Sequence, residues 1–157
     1  MRLTVIALGF AFVATACMSN GSTPGDDASV NCADVTADEF VVGLERVGTA
    51  GALDFTIMSG DPAPPIRGDN TWVVQVSSMS GGVVGAPVSG AEISVTPFMP
   101  AHQHGAGKTV KVEPMQDAGQ YKLSPVNLWM PGVWETTIDA TSASGTDTVV
   151  FSFCIPS

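Results

Sequence analysis

The sequence predicts an antiparallel β-sandwich of immunoglobulin-like type with seven or eight strands, and three observations lead there. Apolar residues recur at every second position through most of the chain, the spacing of a half-buried strand, because successive side chains point to opposite faces. The spacing of an amphipathic helix is not evident. Clusters of Gly, Pro, Asp, Asn and Ser separate the alternating runs at short intervals, as the turns of an all-β domain require. A small barrel is the alternative closure of the same strands.

Taken in order, Leu53, Phe55 and Ile57 alternate in one predicted strand and Trp72, Val74 and Val76 in the next. Ile93 and Val95, Val110 and Val112, Tyr121 and Leu123 continue the pattern, followed by Trp134, Thr136 and Ile138 and by Val149, Phe151 and Phe153. A further strand is read over Phe40 to Leu44. Turns are expected at Ser59 to Pro65, Arg67 to Asn70, Ser80 to Gly82, Asp117 to Gly119 and Ser142 to Gly145, each carrying residues that supply positive φ, a preset φ or a local side-chain hydrogen bond. Only 13% of residues are charged, and three tryptophans and seven phenylalanines, two of the latter within residues 1–16, give enough apolar surface for one core.

The N-terminus reads as an export signal over residues 1–16. It has a basic residue at Arg2, an apolar run from Val5 to Ala14 and small residues before Cys17. That run is shorter than the roughly 20 apolar residues a membrane-spanning helix needs. Ala14-Thr15-Ala16-Cys17 resembles a lipobox, in which the cysteine is acylated and becomes the new N-terminus. The resemblance implies lipid anchoring at Cys17, with Met18 after the cysteine favouring the outer membrane. Most lipoboxes carry an aliphatic residue where Ala14 stands, and the same residues also read as an A-x-A cleavage site releasing a freely secreted protein. Residues 17–30 then form a polar tether with almost nothing to bury. Residues 31–157 remain as one domain.

The formal charge is −9, with fifteen Asp and Glu against six Lys and Arg, of which Arg2 would leave with the signal. The remaining basic residues, Arg46, Arg67, Lys108, Lys111 and Lys122, are scattered, which argues against nucleic acid as a partner. Besides Cys17, the cysteines are Cys32 and Cys154, one at each edge of the domain. In an oxidising compartment they are expected to be joined, tying the two ends together.

The chemistry-bearing segment is Pro97-Phe98-Met99-Pro100-Ala101-His102-Gln103-His104-Gly105, which holds both histidines of the chain. In an extended stretch His102 and His104 project to one side, and Met99 precedes a stiffening proline. Imidazole suits copper, zinc and nickel, and a thioether favours copper(I), so Met and His without thiolate point to a copper-type site. Met130, in Leu128-Trp129-Met130-Pro131-Gly132, is a fourth candidate ligand with Trp129 or Trp134 shielding it, and Met115 is a spare. The reading requires these donors to gather at one rim of the fold with open coordination positions. The alternative makes the same loop a structural corner, and methionine ordinary packing.

The order Met99-Pro100-x-His102-x-His104-Gly105, Gly119-x-Tyr121 and Leu128-Trp129-Met130-x-Gly132-x-Trp134 resembles the YtkA-like group of exported bacterial domains, related to FixH-like proteins. The likeness covers approximately Trp72 to Phe153. It implies an immunoglobulin-like sandwich, export or membrane association, and proximity to metal or respiratory-oxidase biology. Many members carry Gly between the two histidines where this chain has Gln103.

No G-x-S-x-G elbow, H-E-x-x-H, P-loop or dinucleotide motif occurs, so no catalytic residue is assigned and an enzyme is not expected. Two functions stand. The first is an envelope-anchored module that binds copper or a similar soft ion through Met99, His102, His104 and Met130, for buffering or delivery. The second is a metal-free interaction or envelope-assembly domain whose protein partner meets Asp61-Pro62-Ala63-Pro64-Pro65 with Trp72.

Overall fold

Residues 30–157 are described by a computed structural model, in which the alternating runs become ten strands. They are β1 (Glu45–Val47), β2 (Leu53–Asp61), β3 (Gly68–Ser80), β4 (Val83–Pro87), β5 (Glu92–Met99), β6 (His104–Gly105), β7 (Lys111–Pro114), β8 (Gln120–Leu128), β9 (Gly132–Ser142) and β10 (Gly145–Ile155). The signal over 1–16, Cys17 and the tether as far as residue 29 lie outside the described residues.

All pairings between these strands are antiparallel, in two sheets. One sheet runs β1-β2-β3-β8-β7, with β4 also paired to β3, and the other runs β10-β9-β5-β6. The orders β2-β3-β8-β7 and β10-β9-β5 follow the two sheets of an immunoglobulin-type sandwich, with β1, β4 and β6 as short additions. The inward faces carry the alternating residues: Leu53, Phe55, Ile57, Trp72, Val74, Val76, Tyr121 and Leu123 from one sheet, Trp134, Ile138, Val149, Phe151 and Phe153 from the other. All are buried, and each large apolar side chain among them contributes roughly 1.5–3 kcal/mol by leaving water.

Several local expectations differ from the outcome. The Phe40–Leu44 stretch is a turn, because Gly43 adopts φ 89° and hands the chain to β1. Arg67–Asn70 is not a free turn, since β3 begins at Gly68 and Asn70 is buried within it. The Asn70 side chain accepts from Ile66 N and donates to Ile66 O, Gly68 O and Val126 O, so it satisfies a bulged stretch of β3 that the ladder alone leaves open. Trp72 is fully buried and packs edge-on against Phe153 at 5.3 Å. It therefore cannot share a partner-binding surface with the proline-rich loop.

The N-terminal segment is strapped along the exposed edge of β10. Cys32 and Cys154 form a disulfide with Cα atoms 5.6 Å apart. Further along, Asp38 N donates to Ser152 O at 2.6 Å and Ser152 N to Asp38 Oδ2 at 2.8 Å, while Arg46 pairs with the same carboxylate. Covering an edge in this way removes a template for pairing with another chain.

At the other end of β10, the buried Asp147 side chain organises the β1–β2 loop. Its carboxylate accepts from the backbone N–H of Ala50 (2.7 Å), Ala52 (2.8 Å), Leu53 (3.0 Å) and Thr148 (2.9 Å). Gly48 permits this approach, for a Cβ there would sit 2.2 Å from Asp147 Cγ. Burial disfavours the charge of Asp147, but the four amide donors outweigh it and hold the carboxyl below its usual range. A depressed carboxyl pKa gives stability that is complete above the unfolded-state value of about 3.9 and is lost as pH falls through the folded-state value. Asp147→Asn is expected to cost about 2–3 kcal/mol at pH 7. Urea unfolding at pH 7 and pH 3 checks this, the difference from the parent shrinking at the lower pH. Asp54 has the opposite sign: burial and then the Glu45 charge raise its pKa, and its Oδ1 has no hydrogen-bond partner. Its ionisation therefore opposes folding at neutral pH.

Candidate metal centre

Strand β5 ends at Met99 and β6 begins at His104, and the four residues between them turn tightly. His102 N donates to Met99 O at 3.2 Å and Gln103 N to Pro100 O at 3.3 Å. The expected extended stretch, with both imidazoles on one side by alternation, is therefore replaced by two overlapping turns. The last residue of the turn, Gln103, has φ 54°, the one non-glycine with positive φ among the described residues. A side chain in this left-handed conformation costs roughly 1 kcal/mol relative to glycine. The position between the histidines thus favours glycine for a backbone reason, and glutamine adopts the same conformation under strain. Gln103→Gly is expected to raise stability by about 1 kcal/mol, measured by thermal unfolding, with the hairpin register unchanged.

The register then does what the spacing alone did not reveal. Met99 pairs directly with His104 across the β5–β6 ladder. Directly opposed residues point to the same face with Cβ atoms about 4.5–5.5 Å apart, and the Met99 side chain is fully buried. A thioether and an imidazole therefore share the inward face at the end of the core. The expectation of an open rim is corrected here, and the required open coordination positions are not met at Met99: it belongs to the hydrophobic layer, because β5 delivers it at the same phase as Ile93, Val95 and Pro97, so an ion bound by its sulfur would be held within the end of the core.

The His104 ring is held by two indoles. It stacks on Trp129 at 4.8 Å with the planes 24° apart and meets Trp134 edge-on at 5.7 Å. Its Nδ1 lies 3.1 Å from the carbonyl oxygen of Gly105. A carbonyl only accepts, so in the neutral ring this bond puts the proton on Nδ1 and leaves Nε2 with its lone pair free. That Nε2 is buried and has no hydrogen-bond partner. His102 lies in the turn, exposed, with its ring 5.9 Å from that of His104.

The β8–β9 connection closes the same end. Met130 packs against the core, and its carbonyl accepts from Trp134 Nε1 at 2.9 Å. Gly132 opens β9 at φ 129°, and a Cβ there would meet Met99 Cε at 2.9 Å and lie 3.9 Å from Met99 Sδ. The Met-x-Gly-x-Trp run thus has a physical logic: Gly132 leaves room for the Met99 thioether, and Trp134 both pins the Met130 carbonyl and walls the imidazole. Sequence reasoning assigned Gly132 no role, although a glycine between Pro131 and a strand was the available signal. The Gly105 carbonyl, a backbone group, had none.

Around this centre, Arg67 Nε donates to Trp129 O at 2.9 Å. Asp69 receives Lys108 Nζ and Asn127 Nδ2, each at 2.6 Å, and these bonds keep its carboxyl below the usual range. Arg67-Gly68-Asp69 is thereby bound into the fold. Met115 lies in the turn before β8, at the opposite end of that strand from Trp129, roughly 25–30 Å away at strand rise. It is not a spare ligand here. Among the described residues no three His, Cys, Asp or Glu side chains gather to hold a metal, so any metal chemistry at this end depends on the thioethers.

The fold and the site define an all-β sandwich domain in which a methionine and a histidine face each other across the β5–β6 hairpin, with two indoles beside the imidazole. The YtkA-like family model matches residues 49–139, and the chain belongs to that family. No curated protein matches it. Among solved structures, FetP of a uropathogenic Escherichia coli strain, in its as-isolated form, is similar at 13% identity and TM-score 0.46, over 76% of this chain and 98% of that one. A copper-bound variant of FetP is similar at 12% identity and TM-score 0.42, over 73% and 92%.

Proposed function

We propose that this chain is a non-catalytic extracytoplasmic module that binds a copper-type soft ion through His104 Nε2 and the Met99 thioether, with His102 and Met130 completing the donor set. The observation that carries the reading is the buried, partnerless Nε2 of His104, whose lone pair is left free by the Nδ1 bond to Gly105 O. A histidine that ligates a metal ordinarily spends its other ring nitrogen on such an oxygen, which fixes tautomer and orientation. A buried imidazole nitrogen without a partner otherwise costs roughly 1–3 kcal/mol. The ligand types, two imidazoles and two thioethers, suit copper better than the oxygen-preferring ions.

The Cys32–Cys154 bond supports a place in an oxidising compartment outside the cytoplasm, where thioethers hold a soft ion without being consumed as thiols are. With Cys17 acylated, the domain would stand on a tether from a membrane, buffering the ion or passing it to a protein partner. The reading in which the proline-rich loop and Trp72 form a partner surface loses Trp72 to the core.

Titration of the purified domain with copper tests the function. Tight binding by the parent is expected, with affinity falling about 100-fold, or about 2.7 kcal/mol, in His104→Gln and less in His102→Ala. Binding that is weak and indifferent to both changes would contradict the reading.

A further inference from the structure

We infer that the Trp129 indole makes this site selective for copper(I) over copper(II) and zinc(II). The inference rests on the proposed binding at His104 and concerns what the site refuses. Trp129 is 41% exposed, yet its ring lies nearly parallel over the His104 imidazole, while the second ring neighbour, Trp134, is fully buried. The indole thus covers one face of an imidazole whose Nε2 itself exposes almost nothing.

Its stem is fixed without help from any metal. The Trp129 carbonyl takes the Arg67 Nε proton at 2.9 Å, Leu128 pairs with Gly68, and Asn70 fastens the 66–68 loop to Val126. The lid is therefore part of the resting fold.

The chemistry beneath the lid decides which ion fits. Copper(II) takes tetragonal nitrogen and oxygen ligands, and zinc(II) completes a tetrahedron with nitrogen, thiolate, carboxylate or water. Each needs nitrogen and oxygen ligands that the described residues do not gather here, where the His104 ring is flanked by two indoles. Copper(I) is soft, accepts thioether sulfur and is satisfied with few ligands and no water. Removing the indole would admit water and raise the affinity for the two harder ions.

The test compares the parent, Trp129→Ala and Trp129→Phe, whose altered side chain lies at the surface. Copper(I) affinity is measured anaerobically by competition with a chromophoric chelator, and copper(II) and zinc(II) affinities by calorimetry. Trp129→Ala is expected to raise the copper(II) and zinc(II) affinities at least about tenfold relative to copper(I), and Trp129→Phe, which keeps a stacked ring, to restore the parent preference. In the metal-free proteins, upfield ring-current shifts of the His104 protons confirm the stack and vanish in Trp129→Ala. An unchanged preference in Trp129→Ala, while His104→Gln still weakens copper(I) binding about 100-fold, overturns the lid and leaves the site standing. Failure of the parent to bind copper(I) overturns both.

Discussion

Replacing Cys154 with serine is expected to lower the stability of the domain by about 4 kcal/mol, the largest single loss the fold predicts. The bond closes a loop of 122 residues in sequence, and in the chain-entropy account a loop of that order is worth about 4–5 kcal/mol. The loss should be spread over the whole domain, because Cys154 sits on β10, the strand that also carries Asp147 and the Asp38 clasp. Denaturant unfolding with and without reductant checks it. A fall in midpoint of the order of 10–20 °C on heating is the corresponding expectation. Mass analysis without reductant is expected to find the parent two hydrogens lighter than the reduced chain.

Met99→Leu is the second large expected effect, and it acts on affinity. Leucine has nearly the volume of methionine, so the swap costs less than about 1.5 kcal/mol in a packed core, whereas Met99→Ala would cost roughly 2–5 kcal/mol by opening a cavity. The conservative change removes only the sulfur from the face shared with His104. Copper(I) affinity is expected to fall about 100-fold, some 2.7 kcal/mol, with the unfolding midpoint lowered by no more than about 4–8 °C. Competition titration alongside thermal unfolding separates the two quantities. A protein that loses stability and keeps its affinity would make Met99 a packing residue alone.

What could be read from sequence follows from where physical pattern is strong. Over most of their length strands β2, β3, β8, β9 and β10 bury one face and expose or half-bury the other, so Leu53-x-Phe55-x-Ile57 and Val149-x-Phe151-x-Phe153 announce themselves. β4 is exposed along its whole length and β6 is two residues long, so neither carries an alternation to detect. Phe40 to Leu44 looked like a strand because it is apolar, yet Val41 and Val42 face solvent while Phe40 reaches the Trp72 and Phe153 rings. Asn70 was hidden by its type: an asparagine after Gly-Asp reads as a turn, and only the fold shows it serving four backbone groups.

The candidate centre divides the same way. Residue types named Met99, His102, His104 and Met130, because imidazole and thioether are legible letters. Which of them face each other depends on the length and φ values of the 100–103 turn, set by Gln103 in the left-handed region, and on the Met99–His104 register. Periodicity over an assumed extended stretch paired His102 with His104, while the hairpin pairs Met99 with His104. The tautomer that frees Nε2 rests on a backbone carbonyl, which no sequence pattern records.

X-ray absorption at the copper edge of the copper(I)-loaded domain tests the central claim most directly. The account predicts sulfur together with imidazole nitrogen bonded to copper, the sulfur contribution falling in Met99→Leu and the imidazole contribution in His104→Gln. A copper environment of nitrogen and oxygen only, identical in parent and Met99→Leu, would contradict it.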